Sequence, residues 1–479
     1  MRTKFMVKIS SLLLVIVLCL MALVGCASNI EMPEINASIT GNGGLAVQKG
    51  DYIYFVNGYQ AAKDLVDGAN QGGTQYSAIY RTKLDENKAL VYDENGNLQN
   101  CELVIDKVCG FEKTQLYIFG DYIYYATPNT EKVISSDSLS SNFELTDFYK
   151  AKLDGTDRTL IYKTTRASDD TKYAFYKVNG SDDVWLALYD GTALMVINTT
   201  NKQVKTICES VSSVAFPAYT DYNADNNQIA KGAQNVYYTR SGTDEENLSS
   251  GNVLCYAKFI DGEEHIVAQG FNTYTVKLAT NEALVYTKKA EQDYSANNYV
   301  IKYAYDANGE LLLNIQNGAV QLDASATSDI FLCTFENGIQ SGIVFKNSSN
   351  KLVYRNYQKD ETKVLDQNVE LTPLCIYGTK IYAYSSDNSI YQIDYKTLAE
   401  KVLVDMSVED AEDIQSPYFE ASKNFSVCGG YVYYFAKYEG DSETGYYLNR
   451  VSIAISEKYT SELVAVVQEN HIKTETEEE

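Results

Sequence analysis

Residues 343–366 read IVFKNSSNKLVYRNYQKDETKVLD, and residues 381–404 read IYAYSSDNSIYQIDYKTLAEKVLV. The two segments align without a gap over 24 positions, with seven identities: Ile, Ser, Asn, Tyr and the run Lys-Val-Leu. Residues 184–207, VWLALYDGTALMVINTTNKQVKTI, share the length and layout. Each segment has an apolar strand, a tight Asn/Asp/Gly turn, a second strand, a polar turn and a third strand. Short turns between β-branched and aromatic runs are hairpin signals. A further apolar stretch precedes each segment, so the unit is a meander of four antiparallel strands.

The same start recurs along the chain. GDYIY occurs at Gly50 and Gly120, GTKIY at Gly378 and GYVYY at Gly430, with weaker versions at Asn235, Ala283 and Val184. Eight units follow, with second strands beginning near Tyr52, Tyr122, Val184, Val236, Leu284, Ile343, Ile381 and Val432. Helical periodicity is nearly absent outside YQAAKDLVD at Tyr59. An apolar content of 45% with only five Pro fits a folded chain rather than a disordered one. Repeated four-stranded meanders predict an all-β fold, a β-propeller of four-stranded antiparallel blades, with eight blades favoured and seven the alternative. A single such sheet cannot bury both faces, whereas blades stacked around an axis can. A stack of β-sandwiches is disfavoured, because the repeat is half a sandwich long and no linker separates pairs.

In GDYIYYAT, residues 120–127, alternation puts Tyr122 and Tyr124 on one side and Ile123 and Tyr125 on the other. Both sides are apolar or aromatic, as in a strand buried on both faces. These tyrosines therefore read as blade core rather than as a stacking platform.

The segments YIYY, KIYAYSSDNSIYQIDY and FYKAKLDGT resemble the tyrosine-rich propellers of clostridial-type surface lipoproteins, a domain of unknown function similar to the YWTD propellers of lipoprotein receptors. The resemblance covers most of residues 45–467 and implies a fold, not an activity. Ile or Val replaces the Trp of the YWTD pattern and the following Asp is mostly missing, so no receptor ligand site carries over.

The N-terminus gives an address. Arg2, Lys4 and Lys8 precede an apolar run, residues 12–24, which is too short for a permanent membrane span. It ends in LVGC at Cys26, which resembles the lipobox of bacterial lipoproteins. That resemblance implies a signal peptide over 1–25, cleavage before Cys26, a diacylglycerol on its sulfur and acylation of the new amine. The expected localisation is the extracytoplasmic side of a bacterial cell membrane. Residues 26–43 read as a flexible tether of roughly 20–25 Å, residues 44–467 as the propeller and residues 468–479 as an acidic tail.

The net charge is −24, and residues 1–25 hold three cations and no acid, so the remainder is near −27. That excludes nucleic acid as a partner, since phosphate needs Lys and Arg to neutralise it. The seven cysteines beyond Cys26 are odd in number and lack a C-x-x-C pair. They read as small buried apolar residues, with a Cys101–Cys109 bridge the one pairing to test.

Signals of catalysis are weak. There are only two histidines, His265 and His471; no H-E-x-x-H, G-x-S-x-G, P-loop or dinucleotide fingerprint accompanies them. His265 reads as an exposed strand histidine. DYNADNNQ at Asp221 has carboxyl and amide groups at calcium-loop spacing but lacks the Gly and the closing Glu, and DENGN at Asp93 is weaker; both read as turns. No cofactor or metal is expected.

In such a meander, all connections between second and third strands emerge on one face. They are tight in units 3, 6 and 7 and long in units 8, 1 and 2, which become neighbours when the ring closes. Loops on a rigid scaffold carry most binding sites. The candidate contacts are Tyr59, Lys63, Asn129, Lys132, Tyr438 and Glu439, facing an extracellular protein or a glycan, in a chain expected to be monomeric. The favoured function is a non-catalytic, membrane-anchored binding or scaffold propeller. The alternative is an exported hydrolase or lyase acting on polysaccharide or peptide.

Overall fold

In a computed structural model of the chain, the residues described are 39–40, 42–59, 77–129, 132–134, 139–141, 145–177, 182–216, 235–243, 252–269, 272–279, 283–290, 297–305, 311–313, 319–322, 330–333, 342–356, 361–366, 368–377, 379–407, 417–419, 425–437, 446–454 and 461–466. Among them every regular element is a β-strand. Eight antiparallel sheets of four or five strands succeed one another, I to VIII in chain order, and each is built from consecutive segments. Their second strands are Tyr52–Val56, Tyr122–Pro128, Val184–Tyr189, Asn235–Ser241, Ala283–Ala290, Gly342–Lys346, Lys380–Tyr384 and Tyr431–Lys437. Each begins within one residue of the position expected from the repeat. The architecture is the expected propeller of antiparallel blades, within the seven-to-eight range of repeats. A two-stranded hairpin, Lys132–Ile134 with Leu139–Ser141, is added between the second and third strands of sheet II.

The blades close a ring. The first strands of sheets IV, V, VI, VII, VIII and I lie side by side in that order. Gly43 N–H donates to Leu116 (2.8 Å) and Leu116 N–H to Gly44 (3.0 Å), which joins sheet I to sheet II. Apolar clusters fill the seams between II and III and between III and IV, and one cluster spans VIII, I and II. The strand Tyr122–Pro128 shows how the sequence does this. Tyr124 packs against Phe175 of sheet III, while Ile123 and Tyr125 belong to the cluster shared with sheet I. β-Branched and aromatic side chains fit a pleated surface covered on both sides.

Five of the outer pairs carry a bulge at one fixed place. In sheets I, II, III, IV and VII the register between third and fourth strands slips by one residue near the start of the third strand. The residues inserted on the fourth strand are Val104, Ile161, Ile207, Val267 and Leu403. Four of them are buried and Ile207 is half-buried. The bulge turns one extra apolar side chain into the seam and bends the outer edge away from strand addition.

No strand is exchanged between the first and last blades among the described residues. An asparagine replaces it. The Asn57 side chain donates to Val466 O (3.0 Å) and accepts from Val466 N–H (2.8 Å). Its amide presents a donor and an acceptor together, as a strand edge does. Asn42 grips Ile118 in the same way (3.0 and 2.7 Å), and Asn252 grips Tyr274 (2.7 and 2.5 Å).

Candidate functional site

The connections between second and third strands differ sharply in length around the ring. They span only 190–193, 347–351 and 385–389 in sheets III, VI and VII, but 57–78 in I, 129–145 in II and 438–445 in VIII. Sheet IV has a longer one as well, 242–251. Sheets VIII, I and II are consecutive in the ring, so the three long connections belong to adjoining blades.

The roots of the connections in sheets I and VIII are fixed by aromatic packing. Tyr59 leaves sheet I and pairs with Tyr446 of sheet VIII through both backbone bonds, 2.9 and 3.3 Å. Its ring lies 5.7 Å from Tyr418, 5.7 Å from Phe435 and 5.9 Å from Tyr446. Tyr418 and Tyr446 stack at 3.8 Å and 15°. Phe419, next to Tyr418, stacks on Tyr384 at the end of the second strand of sheet VII, at 4.5 Å. Tyr59 and Phe435 are buried; Tyr418, Phe419, Tyr384 and Tyr446 keep partial exposure. This is a tilted and stacked aromatic floor crossing blades VII, VIII and I. Burial and the nearby Glu112 push the Tyr59 hydroxyl up, so it stays protonated.

Beneath the 57–78 connection the chain is pinned. Cys109 and Gly110 N–H both donate to Ser77 O, at 2.7 and 3.0 Å. A Cβ on Gly110 would overlap the Gly58 carbonyl oxygen, so only glycine allows this approach.

The predicted contact residues divide. Tyr59 is 4% exposed, and such a ring supports the floor rather than meeting a partner. Asn129 is buried; its side chain donates to Asp147 Oδ1 (3.1 Å) and its N–H to Leu145 O (2.8 Å). Lys132 begins the added hairpin. Lys63, Tyr438, Glu439 and Cys26 lie outside the described residues, as do YQAAKDLVD beyond Tyr59 and DYNADNNQ. Tyr418, Phe435 and Tyr446 were not legible as site residues, since each sits in a run that reads as ordinary blade core.

Other expectations are corrected or sharpened. Cys101 and Cys109 are both free thiols, not a bridge. Burial pushes the Cys101 thiol up to about 12, despite the Thr82 hydroxyl beside it. His265 is not an exposed histidine: it is half-buried, stacked on Tyr256 at 4.7 Å and 3.7 Å from Glu263. DENGN is a turn, closed by Asp93 accepting from Asn95 and Asn97 N–H (2.9 and 2.8 Å). No group of three metal-ligating side chains exists among the described residues.

Two buried arginines occupy matching rungs. Arg81 lies between Tyr54 and Glu102 in sheet I, and Arg450 between Tyr433 and Glu462 in sheet VIII. Each Nε donates to its glutamate at 2.7 Å, and each guanidinium lies over a tyrosine, 4.6 Å from Tyr52 and 3.8 Å from Tyr431. Buried within the blades, they are structural cations that tie three strands together.

No family model matches the chain, and no curated protein matches it. Solved structures do. A puromycin-hydrolyzing peptidase of Mycobacterium tuberculosis aligns at 8% identity and a TM-score of 0.40, over 86% of this chain; the chain spans 62% of that protein's length. The β-propeller domain of the Trilobed protease from Pyrococcus furiosus aligns at 10% identity and a TM-score of 0.39, over 78% of this chain and 99% of that one. An oligogalacturonate lyase of Vibrio parahaemolyticus aligns at 10% identity and a TM-score of 0.37, over 88% and 100%. The topology of the sheets defines the class, a β-propeller; likenesses this distant carry no residue's role across.

Proposed function

We propose that this chain is a lipid-anchored propeller on the extracytoplasmic side of a bacterial membrane, and that it binds an extracellular protein or glycan without catalysing a reaction. The observation that carries the binding role is the adjacency of sheets VIII, I and II. These three blades carry the long connections 438–445, 57–78 and 129–145, and the paired Tyr59 and Tyr446 on the aromatic floor mark the roots of the first two. Elaborated loops on a fixed base suit recognition. The anchor rests on the LVGC motif at Cys26 behind a short cationic and apolar leader. A Cys26→Ser variant, expressed in a Gram-positive host, is expected to move from the membrane fraction to the medium and to lose its incorporation of labelled fatty acid. Retention in the membrane without lipid label would refute the anchor.

A further inference from the structure

The seam between blades VI and VII holds a group that does not belong in an apolar seam. The gapless repeat places Asp366 opposite Val404, and Leu365 opposite Leu403. Val404 and Leu403 are core residues of the seam between VII and VIII. Leu365 takes the matching place in the VI–VII cluster with Leu352, Leu371, Ile376, Ile381 and Tyr395. Its N–H donates to Leu352 O at 2.8 Å, the bond expected at the bulge. The next residue in this blade is a carboxylate, and it is 0% exposed. Neither of its oxygens makes a hydrogen bond. The backbone amides of Leu352 and Leu371 approach it and Lys351 acts on it, but burial outweighs them and pushes the carboxyl up. Among the described residues, the other charges on the surrounding elements are already engaged. Lys346 pairs with Glu370 (3.2 Å), Lys363 lies 3.6 Å from Glu361, Arg355 donates to Thr362 (2.8 Å), and Lys380 of blade VII donates to Asp394 (2.5 Å).

We propose that Asp366 makes the packing of blade VI on blade VII proton-dependent: the seam closes around a neutral carboxylic acid and loosens when that acid ionises. An unpaired carboxylate in an apolar seam is strongly disfavoured against its neutral form. Its folded-state acidity is weaker than in the unfolded chain. The contribution is therefore neutral below the unfolded value and turns unfavourable as the pH rises from there to the folded value. Above the folded value it stays constant. The position lies on the loop-bearing edge, beside the 347–351 turn.

The test compares wild type with Asp366→Asn and Asp366→Val, by urea unfolding and by hydrogen exchange of the amides of Leu352–Asn356 and Thr372–Tyr377, from pH 4 to pH 8. The expected result is a ratio of folding constants, wild type over Asp366→Val, that falls about tenfold per pH unit across the titration and then levels. Protection of those two strands, taken relative to the intrinsic exchange rate at each pH, should fall over the same range. The ratio of folding constants for Asp366→Asn over Asp366→Val should be flat in pH, whatever the absolute stability of either variant. A wild-type ratio independent of pH against both variants would overturn the proposal. So would protection, relative to the intrinsic rate, that changes equally in all blades.

Discussion

At the scale of single residues, the ring depends on side chains that imitate backbone. Asn57 supplies the last blade with the donor and acceptor that an exchanged strand would otherwise give. Replacing it with Ala removes two hydrogen bonds and strands the N–H and C=O of Val466. The expected loss is about 1–2 kcal/mol in urea unfolding, two bonds of ordinary net worth at a half-buried residue. A loss below about 0.5 kcal/mol would show that hydrophobic packing closes the seam alone. None of this was legible in the sequence. Asn57 follows a strand and precedes a glycine, which reads as a turn, and its partner is more than 400 residues away in the chain. The tyrosines of residues 122–125 were legible, because burial on both faces leaves a local signature: no polar residue alternates with them.

At the scale of elements, the second strands were readable to within a residue at their starts and the connections only by their length. Turn chemistry explains the difference. In sheet VII, Asp394 closes the turn to the fourth strand by accepting from Lys396 and Thr397 N–H (2.8 and 2.9 Å). Burial pushes this carboxyl up, but Lys380 and those amides outweigh burial and hold it at about 2. A carboxyl depressed in the folded state stabilises above its unfolded value, and that stability is lost as the pH falls from about 4 toward about 2. Asp394→Asn is therefore expected to lower stability by about 2 kcal/mol at pH 7, and to converge on wild type near pH 2. Thermal unfolding across that range reads it directly, and a difference that persists undiminished at pH 2 would contradict it. The outer-strand bulges were not foreseen either. Val104, Ile161, Val267 and Leu403 look like ordinary strand residues, and only the register reveals the extra residue.

At the scale of the whole molecule, the repeat predicted the ring, and the ring predicted which connections would adjoin. The lengths alone, read along the chain, place the 438–445 and 57–78 connections at opposite ends. Closure brings them together, with Tyr59 and Tyr446 paired at their roots. What the chain could not reveal was the floor. Tyr418 and Tyr446 lie 28 positions apart in sequence, in runs indistinguishable from core, and stack because their strands flank the second strand of sheet VIII on either side. The central claim is that this sector is the recognition surface, and shortening it tests that claim most directly. The 57–78, 129–145 and 438–445 connections would each be cut to a turn like 190–193, keeping Tyr59 and Tyr446, and the 242–251 connection of sheet IV shortened alone as a control. Proximity labelling on intact cells would then compare the three proteins at matched surface amounts and matched melting temperature. The account predicts that the neighbours labelled by wild type persist with the sheet IV variant and vanish with the three-connection variant. An unchanged set of neighbours in the three-connection variant would contradict it.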